Sequence, residues 1–314
     1  MSIQREEVLS NVWRDGIFDG KVAFCTGGGG SLVSVQTRAL VILGANACIV
    51  GRNVENTERV AKDIATARKG AKVLGLGAVD VRSLESLEKA VATCVKELGQ
   101  IDFVIAGAAG NFLAPLTQLS QNAFKTVIDI DLFGSWNTLK ATLPHLITSA
   151  QKNKGDGKRS SESGTGGRII FVSATLGYTG TPLQTHAIVA KAGVDKLAVQ
   201  VAIELGPRGI TSNVIAPGGV TGTEGTDRLI KNGSDSRVVK TVPSGRLGTV
   251  KDMADVVVYL FSDAGNYVNG ETIVVDGGAW HTNGASAGRD FTYPDFLLSD
   301  DVVSGVKGTR KAKI

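Results

Sequence analysis

The sequence predicts an α/β domain in which a parallel sheet is covered by helices on both faces. Short apolar runs rich in Val, Ile and Ala alternate with segments whose apolar residues recur at helical spacing. The apolar runs are nearly continuous, as strands buried on both faces require. Right-handed crossovers between parallel strands then bring every strand's carboxyl end, and the site with it, to one edge of the sheet.

Residues 21–25 read as the first strand and 31–43 as the helix that follows it. A second strand (47–50) and helix (54–68) come next, then a third strand (73–76) and helix (84–98). The fourth strand is 102–105, after which 124–149 holds one long helix. The fifth strand (168–172) leads to a helix over about 186–205, the sixth (211–215) to a helix at 250–261, and 272–275 closes the set. About seven strands in this alternation describe a doubly wound, Rossmann-type sheet in a single domain with a C-terminal extension. The catalytic domain spans 21–279, after an N-terminal segment at 1–20 and before a tail at 280–314. The polar, Gly/Ser-rich stretch 152–167 reads as a mobile surface insertion. The tail, with Phe291, Tyr293, Pro294 and Phe296, reads either as an arm on a partner subunit or as a cover near the site.

Composition narrows the function classes. The net charge of +4 is dispersed, and no basic run is interleaved with aromatics, so no nucleic-acid partner is expected. Cys25, Cys48 and Cys94 lack metal-site spacing, and the first two lie in apolar runs, which predicts buried free thiols in a reducing compartment and no metal. The charged N-terminus lacks a signal-peptide core and no apolar stretch reaches membrane-spanning length, so a soluble intracellular protein is expected.

The nucleotide end is marked by Thr26-Gly27-Gly28-Gly29-Gly30-Ser31-Leu32, which joins the first strand to its helix. Glycines there let backbone approach a pyrophosphate, whose charge the helix N-terminus favours. The second strand ends in Val50-Gly51-Arg52-Asn53, with no carboxylate to grip a ribose 2′-hydroxyl. An arginine at that place suits a 2′-phosphate, so the expected cofactor is NADPH, with Arg52 and Asn53 in its site; Arg52 is otherwise a solvated strand-end residue. Asp80 and Val81 follow the third strand where an adenine would rest; Asp80 serves there as an acceptor, as the N-cap of the next helix, or as both. Ala108 and Gly110 belong to a run of small residues after the fourth strand, where a ribose must fit closely.

With these features the chain resembles the short-chain dehydrogenase/reductase superfamily over about 20–278. The resemblance is carried by the Thr26-Gly27 loop, Asp80, Ala108-Ala109-Gly110, Lys191, Asn213, Pro217-Gly218, Tyr267-Val268-Asn269-Gly270 and Val275-Asp276-Gly277-Gly278. It departs at the reaction centre. Members usually carry a tyrosine four residues before the active-site lysine and a serine upstream; here those positions are Ala187 and Ala174, and Asp131 stands where asparagine is expected. Alanine cannot deliver a proton to a ketone oxygen, so carbonyl chemistry is disfavoured. Ser31 and Val33 occupy positions that are mostly glycine in the superfamily, offset by the four glycines before them.

One branch shows this combination, the peroxisomal 2,4-dienoyl-CoA reductases. The chain resembles it at Gly107-Ala108-Ala109-Gly110-Asn111-Phe112, Asn122-Ala123-Phe124-Lys125, Asp129-Ile130-Asp131, Ser173-Ala174-Thr175, His186-Ala187, Ala190-Lys191-Ala192 and Gly222-Thr223-Glu224-Gly225. The resemblance implies NADPH-dependent reduction of a 2,4-dienoyl-CoA to a 3-enoyl-CoA. Lys191 would bind the nicotinamide ribose, or else be a solvated lysine on an amphipathic helix; Asp131 would supply a proton directly or through water, or else be a structural carboxylate. Pro217, Gly218, Thr221 and Thr223 complete the implied cofactor set. Arg82, Asn111, Phe112, His186 and Arg228 are the implied acyl-CoA contacts, each arginine being otherwise an ordinary surface charge and His186 a satisfied helix-start residue. Tyr178 sits in a loop whose reach to the acyl pocket the sequence leaves open. Ala312-Lys313-Ile314 resembles the tripeptide read by the peroxisomal import receptor, which implies the peroxisomal matrix. A homo-oligomer built through the long helices after the fourth and fifth strands is expected. The rival readings are another acyl-CoA or carbonyl reductase and a non-catalytic NADP-binding scaffold.

Overall fold

The computed structural model describes residues 4–9, 12–154, 164–223 and 242–282. Its seven strands are β1 Val22–Thr26, β2 Asn46–Val50, β3 Val73–Leu76, β4 Phe103–Ala106, β5 Arg168–Val172, β6 Thr211–Pro217 and β7 Thr272–Val275. They form one sheet, all parallel, in the order β3-β2-β1-β4-β5-β6-β7. The order reverses between β1 and β4, so their carboxyl ends form the topological switch point, the usual ligand position in such a sheet. Strands β1, β4 and β5 are buried along their whole length, which is why they read as unbroken apolar runs.

The helices are α1 Ser31–Ile42, α2 Val54–Ala65, α3 Leu84–Leu98, α4 Gln121–Ile128, α5 Gly134–Lys152, the short α6 Leu176–Thr179, α7 Thr185–Leu205 and α8 Val250–Phe261. They divide between the two faces of the sheet. Val33 and Leu40 of α1, Ile64 of α2 and Met253 and Val257 of α8 share one core. Leu87 of α3, Leu146 of α5 and Val194 of α7 share the other. The N-terminal segment joins the first core through buried Val8, Leu9 and Phe18, and Trp13 Nε1 donates to Asp255 Oδ1 at 2.9 Å. All three cysteines are buried and free, as expected, and burial pushes the Cys25 thiol up to about 12, so it stays protonated.

Two expectations need correction. The single helix over 124–149 is a longer stack, α4 to α5, broken at Asp129–Phe133 by a π turn in which Gly134 N–H bonds to Asp129 O. One extra residue slips the apolar pattern by a single position, which is hard to tell from ordinary irregularity in a long helix, so the pattern does not reveal it. Glycine fits at 134 because a Cβ there would lie 2.7 Å from Val81 Cγ2. The 152–167 stretch is not a surface insertion at its ends. Lys152 closes α5, while Thr165 is buried and donates to Phe261 O at 2.6 Å; 155–163 lie outside the described residues. Its glycines include Gly167, at φ +68° and packed against α5, so there glycine marks close approach rather than a linker.

Candidate active site

The site is assembled from loops at the carboxyl ends of the strands. Thr26 Oγ1 accepts the Gly107 N–H at 3.2 Å and ties the loop after β1 to the loop after β4. Gly27 takes φ +70°, and a Cβ there would sit 2.7 Å from Gly107 O. Gly30 is the N-cap of α1 and offers no side chain, so the first N–H groups of the helix, at Ser31 and Leu32, have no intrahelical partner. Val33 is accommodated where the superfamily mostly has glycine because Gly107 faces it: a Cβ on Gly107 would lie 2.5 Å from Val33 Cγ2.

Next to this loop Arg52 is exposed at the end of β2. Asn53 Oδ1 is the N-cap acceptor of α2, taking the Asn56 N–H at 2.8 Å, and Asn56 Nδ2 donates to Gly29 O at 2.9 Å. Asn56 therefore ties α2 to the glycine loop, while Asn53 caps the helix. Asp80 is not the N-cap of α3; Ser83 is, accepting the Ser86 N–H at 3.2 Å. Asp80 instead receives Arg82 Nε at 3.0 Å and Nη2 at 2.6 Å, together with the Arg82 N–H. That hydrogen bond holds the Asp80 carboxyl below the usual range, with lesser help from the Arg82 and Arg52 charges. Val81 is buried beside Gly134 and accepts Asn137 Nδ2 on its carbonyl at 2.9 Å.

At the reaction end, the π turn carries Asp131 inward to 1% exposure. Asp131 Oδ1 accepts the Gly110 N–H at 2.7 Å, and Oδ2 lies 3.2 Å from Lys191 Nζ. Lys191, buried on α7, also donates to Val172 O at 2.9 Å. The solvated-lysine alternative for Lys191 is thus excluded, and Asp131 has a structural bond as well as an ionic partner. Pro217 O closes the next strand by accepting Thr175 N–H at 3.0 Å, and Gly218 packs on Asp276. Thr221 and Thr223 donate their hydroxyls to Gly248 O and Val220 O.

The loop after β4 is fastened to the start of α7. Asn111 Nδ2 donates to Gln184 Oε1 at 2.5 Å, and Ala114 N–H to Leu183 O at 2.9 Å. The Phe112 ring stacks on His186 with centroids 4.2 Å apart. His186 is fully buried, and neither ring nitrogen has a hydrogen-bond partner of ordinary geometry among the described residues. It is therefore not a satisfied helix-start histidine. Burial lowers its pKa, opposed by the Phe112 backbone and Asp131, so it is neutral at pH 7. Tyr178 donates to Asp195 Oδ2 at 2.6 Å and meets Trp280 edge to face at 5.9 Å, and burial raises its pKa. The sequence singled out neither Gln184, which is 1% exposed, nor Leu183, a non-glycine residue at φ +70°. Nothing in the polar run Thr179-Gly180-Thr181-Pro182 signals the burial that follows it. Arg228 and Ala312-Lys313-Ile314 lie outside the described residues. A cavity of about 640 Å³ is lined by Arg5, Asp15, Arg38 and Arg68 and by none of the residues above.

A family model described as Enoyl-(Acyl carrier protein) reductase matches residues 34–280. A peroxisomal 2,4-dienoyl-CoA reductase of Saccharomyces cerevisiae, named as (3E)-enoyl-CoA-producing, is 48% identical over 292 residues, covering 93% of this chain and 94% of that one. A Danio rerio protein of the same description is 38% identical, covering 87% and 86%. Among solved structures, a levodione reductase superposes with a TM-score of 0.75 at 26% identity, covering 84% of this chain and 99% of that one.

Proposed function

The chain belongs to the short-chain dehydrogenase/reductase family, and we propose that it is a peroxisomal, NADPH-dependent reductase that converts 2,4-dienoyl-CoA to 3-enoyl-CoA in the β-oxidation of unsaturated fatty acids. The observation that carries this reading is the buried Asp131–Lys191 pair in a site where Ala187 and Ala174 leave no phenol or hydroxyl at the usual catalytic positions.

The residues present fit a nicotinamide dinucleotide. Ser31 and Leu32 at the start of α1 would offer backbone N–H groups to a pyrophosphate that the glycine loop lets approach, Arg52 would take a 2′-phosphate, Val81 and Asp80 would flank an adenine, and Lys191 would bind ribose hydroxyls. When bound, that cofactor supplies a hydride. The chain's own part is to orient and to protonate. Asn111 and Phe112 hold the thioester and the diene, fixed in turn by Gln184 and His186. Charge that develops on the thioester oxygen is met by fixed donors rather than quenched at the carbon under attack, so a phenol is dispensable. Asp131, ion-paired with Lys191, orients a water that delivers the proton to the α-carbon and leaves as hydroxide to be reprotonated from solvent. Arg82, beside Asp80, and Arg228 take the CoA portion. The exposed Phe133 and Trp136, at 54% and 44%, support a homo-oligomer through the α4–α5 stack, and Ala312-Lys313-Ile314 serves the import receptor. No helix among the described residues is long and apolar enough to cross a membrane.

The reading is tested by following NADPH oxidation with a 2,4-dienoyl-CoA, a 2-enoyl-CoA and a ketone. Only the first is expected to turn over; activity confined to either of the others overturns the assignment. The cofactor preference has its own test. Arg52→Ala is expected to raise KM for NADPH by about 10- to 100-fold, the loss of one charge-assisted hydrogen bond of ~1.5–3 kcal/mol, with KM for NADH nearly unchanged. Equal effects on both cofactors would remove Arg52 from 2′-phosphate recognition.

A further inference from the structure

We propose that Gln184 is a positioning residue of this site: it fixes the Asn111 amide so that one N–H remains aimed at the substrate thioester. The inference rests on the dienoyl-CoA reading and deepens it, since it says what the Gln184–Asn111 contact does for the substrate.

Four successive contacts hold the segment after β4. Gly110 N–H is held by Asp131 Oδ1 at 2.7 Å, Asn111 Nδ2 by Gln184 Oε1 at 2.5 Å, the Phe112 ring by His186 at 4.2 Å, and Ala114 N–H by Leu183 O at 2.9 Å. Three of the four anchors, Leu183, Gln184 and His186, lie at the start of α7. Of these, Gln184 alone reaches a polar side chain. A primary amide presents two N–H donors and one carbonyl, and it rotates freely unless one of them is engaged. Gln184 accepts one N–H of Asn111 from a position 99% buried, which sets the plane of the amide. Asn111 itself is exposed, so its second N–H is left for a ligand.

The backbone shows that this arrangement is imposed. Leu183 adopts φ +70°, a left-handed conformation that a branched side chain rarely takes. Only Ala78, at φ +55°, shares that property among the described non-glycine residues. Such strain persists where surrounding contacts over-determine it, and it concentrates at sites that need fixed geometry. Here it turns the chain so that Leu183 O meets Ala114 and the next side chain, Gln184, enters the protein beneath Asn111. Gln184 therefore acts through Asn111 and need not touch the substrate.

The test uses the full-length protein with NADPH and a 2,4-dienoyl-CoA. Gln184→Met keeps the length and removes the acceptor; it should lower kcat by about 10²-fold, the cost of a misplaced contact group, while the Kd for NADPH and the urea midpoint stay close to wild type. Gln184→Glu keeps an acceptor oxygen in either protonation state and should restore most of kcat. In an Asn111→Ala background, Gln184→Met should change kcat by less than about twofold, because the two residues act as one unit. A full effect of Gln184→Met in that background overturns the proposal, as does an unchanged kcat in the single variant. A loss of NADPH binding or of urea stability in proportion to the loss of kcat overturns it too, since a purely structural role would do that. A wild type inert toward the dienoyl thioester sinks the underlying reading as well, and that outcome is visible before any variant is made.

Discussion

Replacing Asp131 by alanine is expected to lower kcat on a 2,4-dienoyl-CoA by about 10²- to 10⁴-fold, the usual contribution of a positioned acid–base group, here one that orients the proton-delivering water, and to leave the affinity for NADPH nearly intact. The reasoning starts from burial. Asp131 is 1% exposed at the π turn between α4 and α5, and its carboxylate is engaged on one side by Gly110 and on the other by Lys191. A carboxyl so placed can serve the α-carbon of a bound thioester, while the cofactor is held mainly by backbone and by other side chains. Removing it also leaves the Lys191 ammonium without its ionic partner in the interior, a change that typically costs about 3–5 kcal/mol. Stability must therefore be followed by urea denaturation alongside turnover. Asp131→Asn keeps an acceptor for the Gly110 N–H and separates the two effects: it should fold more nearly as the wild type does and remain slow. Turnover that survives in both variants would take Asp131 out of the mechanism and leave it a structural carboxylate.

Lys191→Ala should fail differently. The lysine anchors the site to β5 through Val172 O and reaches the ribose of the cofactor, so both binding and turnover should suffer. The expected rise in Kd for NADPH is about 10- to 100-fold, from ~1.5–3 kcal/mol per hydrogen bond to a charged group. The fall in kcat should be at least about 10²-fold, as for other fixed donors in a water-excluded site. Fluorescence titration with NADPH checks the first figure and steady-state kinetics the second. A variant that binds NADPH like the wild type would deny Lys191 its contact with the ribose. Taken together, the two variants distinguish a residue that acts on the substrate from one that acts on both ligands.

The parts of this site legible in the sequence are those whose chemistry is local. The glycine run between β1 and α1, Arg52 at the end of β2 and the small residues after β4 each declare themselves within a few positions, because strand, turn and helix follow one another directly there. The Asp131–Lys191 pair is legible only through the resemblance, which sets Asp131 where asparagine is expected, since 60 positions separate the partners and no pattern spans them. What sequence reasoning missed has definite physical causes. The π turn at Asp129–Phe133 adds one residue to a helix whose apolar stripe continues past it, so one helix was expected. Asp80 and Ser83 are both good N-cap residues, and the choice between them is made by Arg82, which takes the Asp80 carboxylate for itself. Gln184 and Leu183 depend on a left-handed backbone at a leucine, which no residue preference marks. The glycines near 167 read as part of a mobile surface insertion because composition does not distinguish flexibility from close packing.

The central claim is that reduction occurs by hydride delivery to the far end of a conjugated thioester. Its most direct test is the position of the label when the enzyme is given NADPH deuterated at the transferred position, a 2,4-dienoyl-CoA and ordinary water. Deuterium at the δ-carbon, a solvent hydrogen at the α-carbon and a double bond between carbons three and four are the predicted result. Deuterium at the β-carbon, or on any carbon that began as a carbonyl, would contradict it.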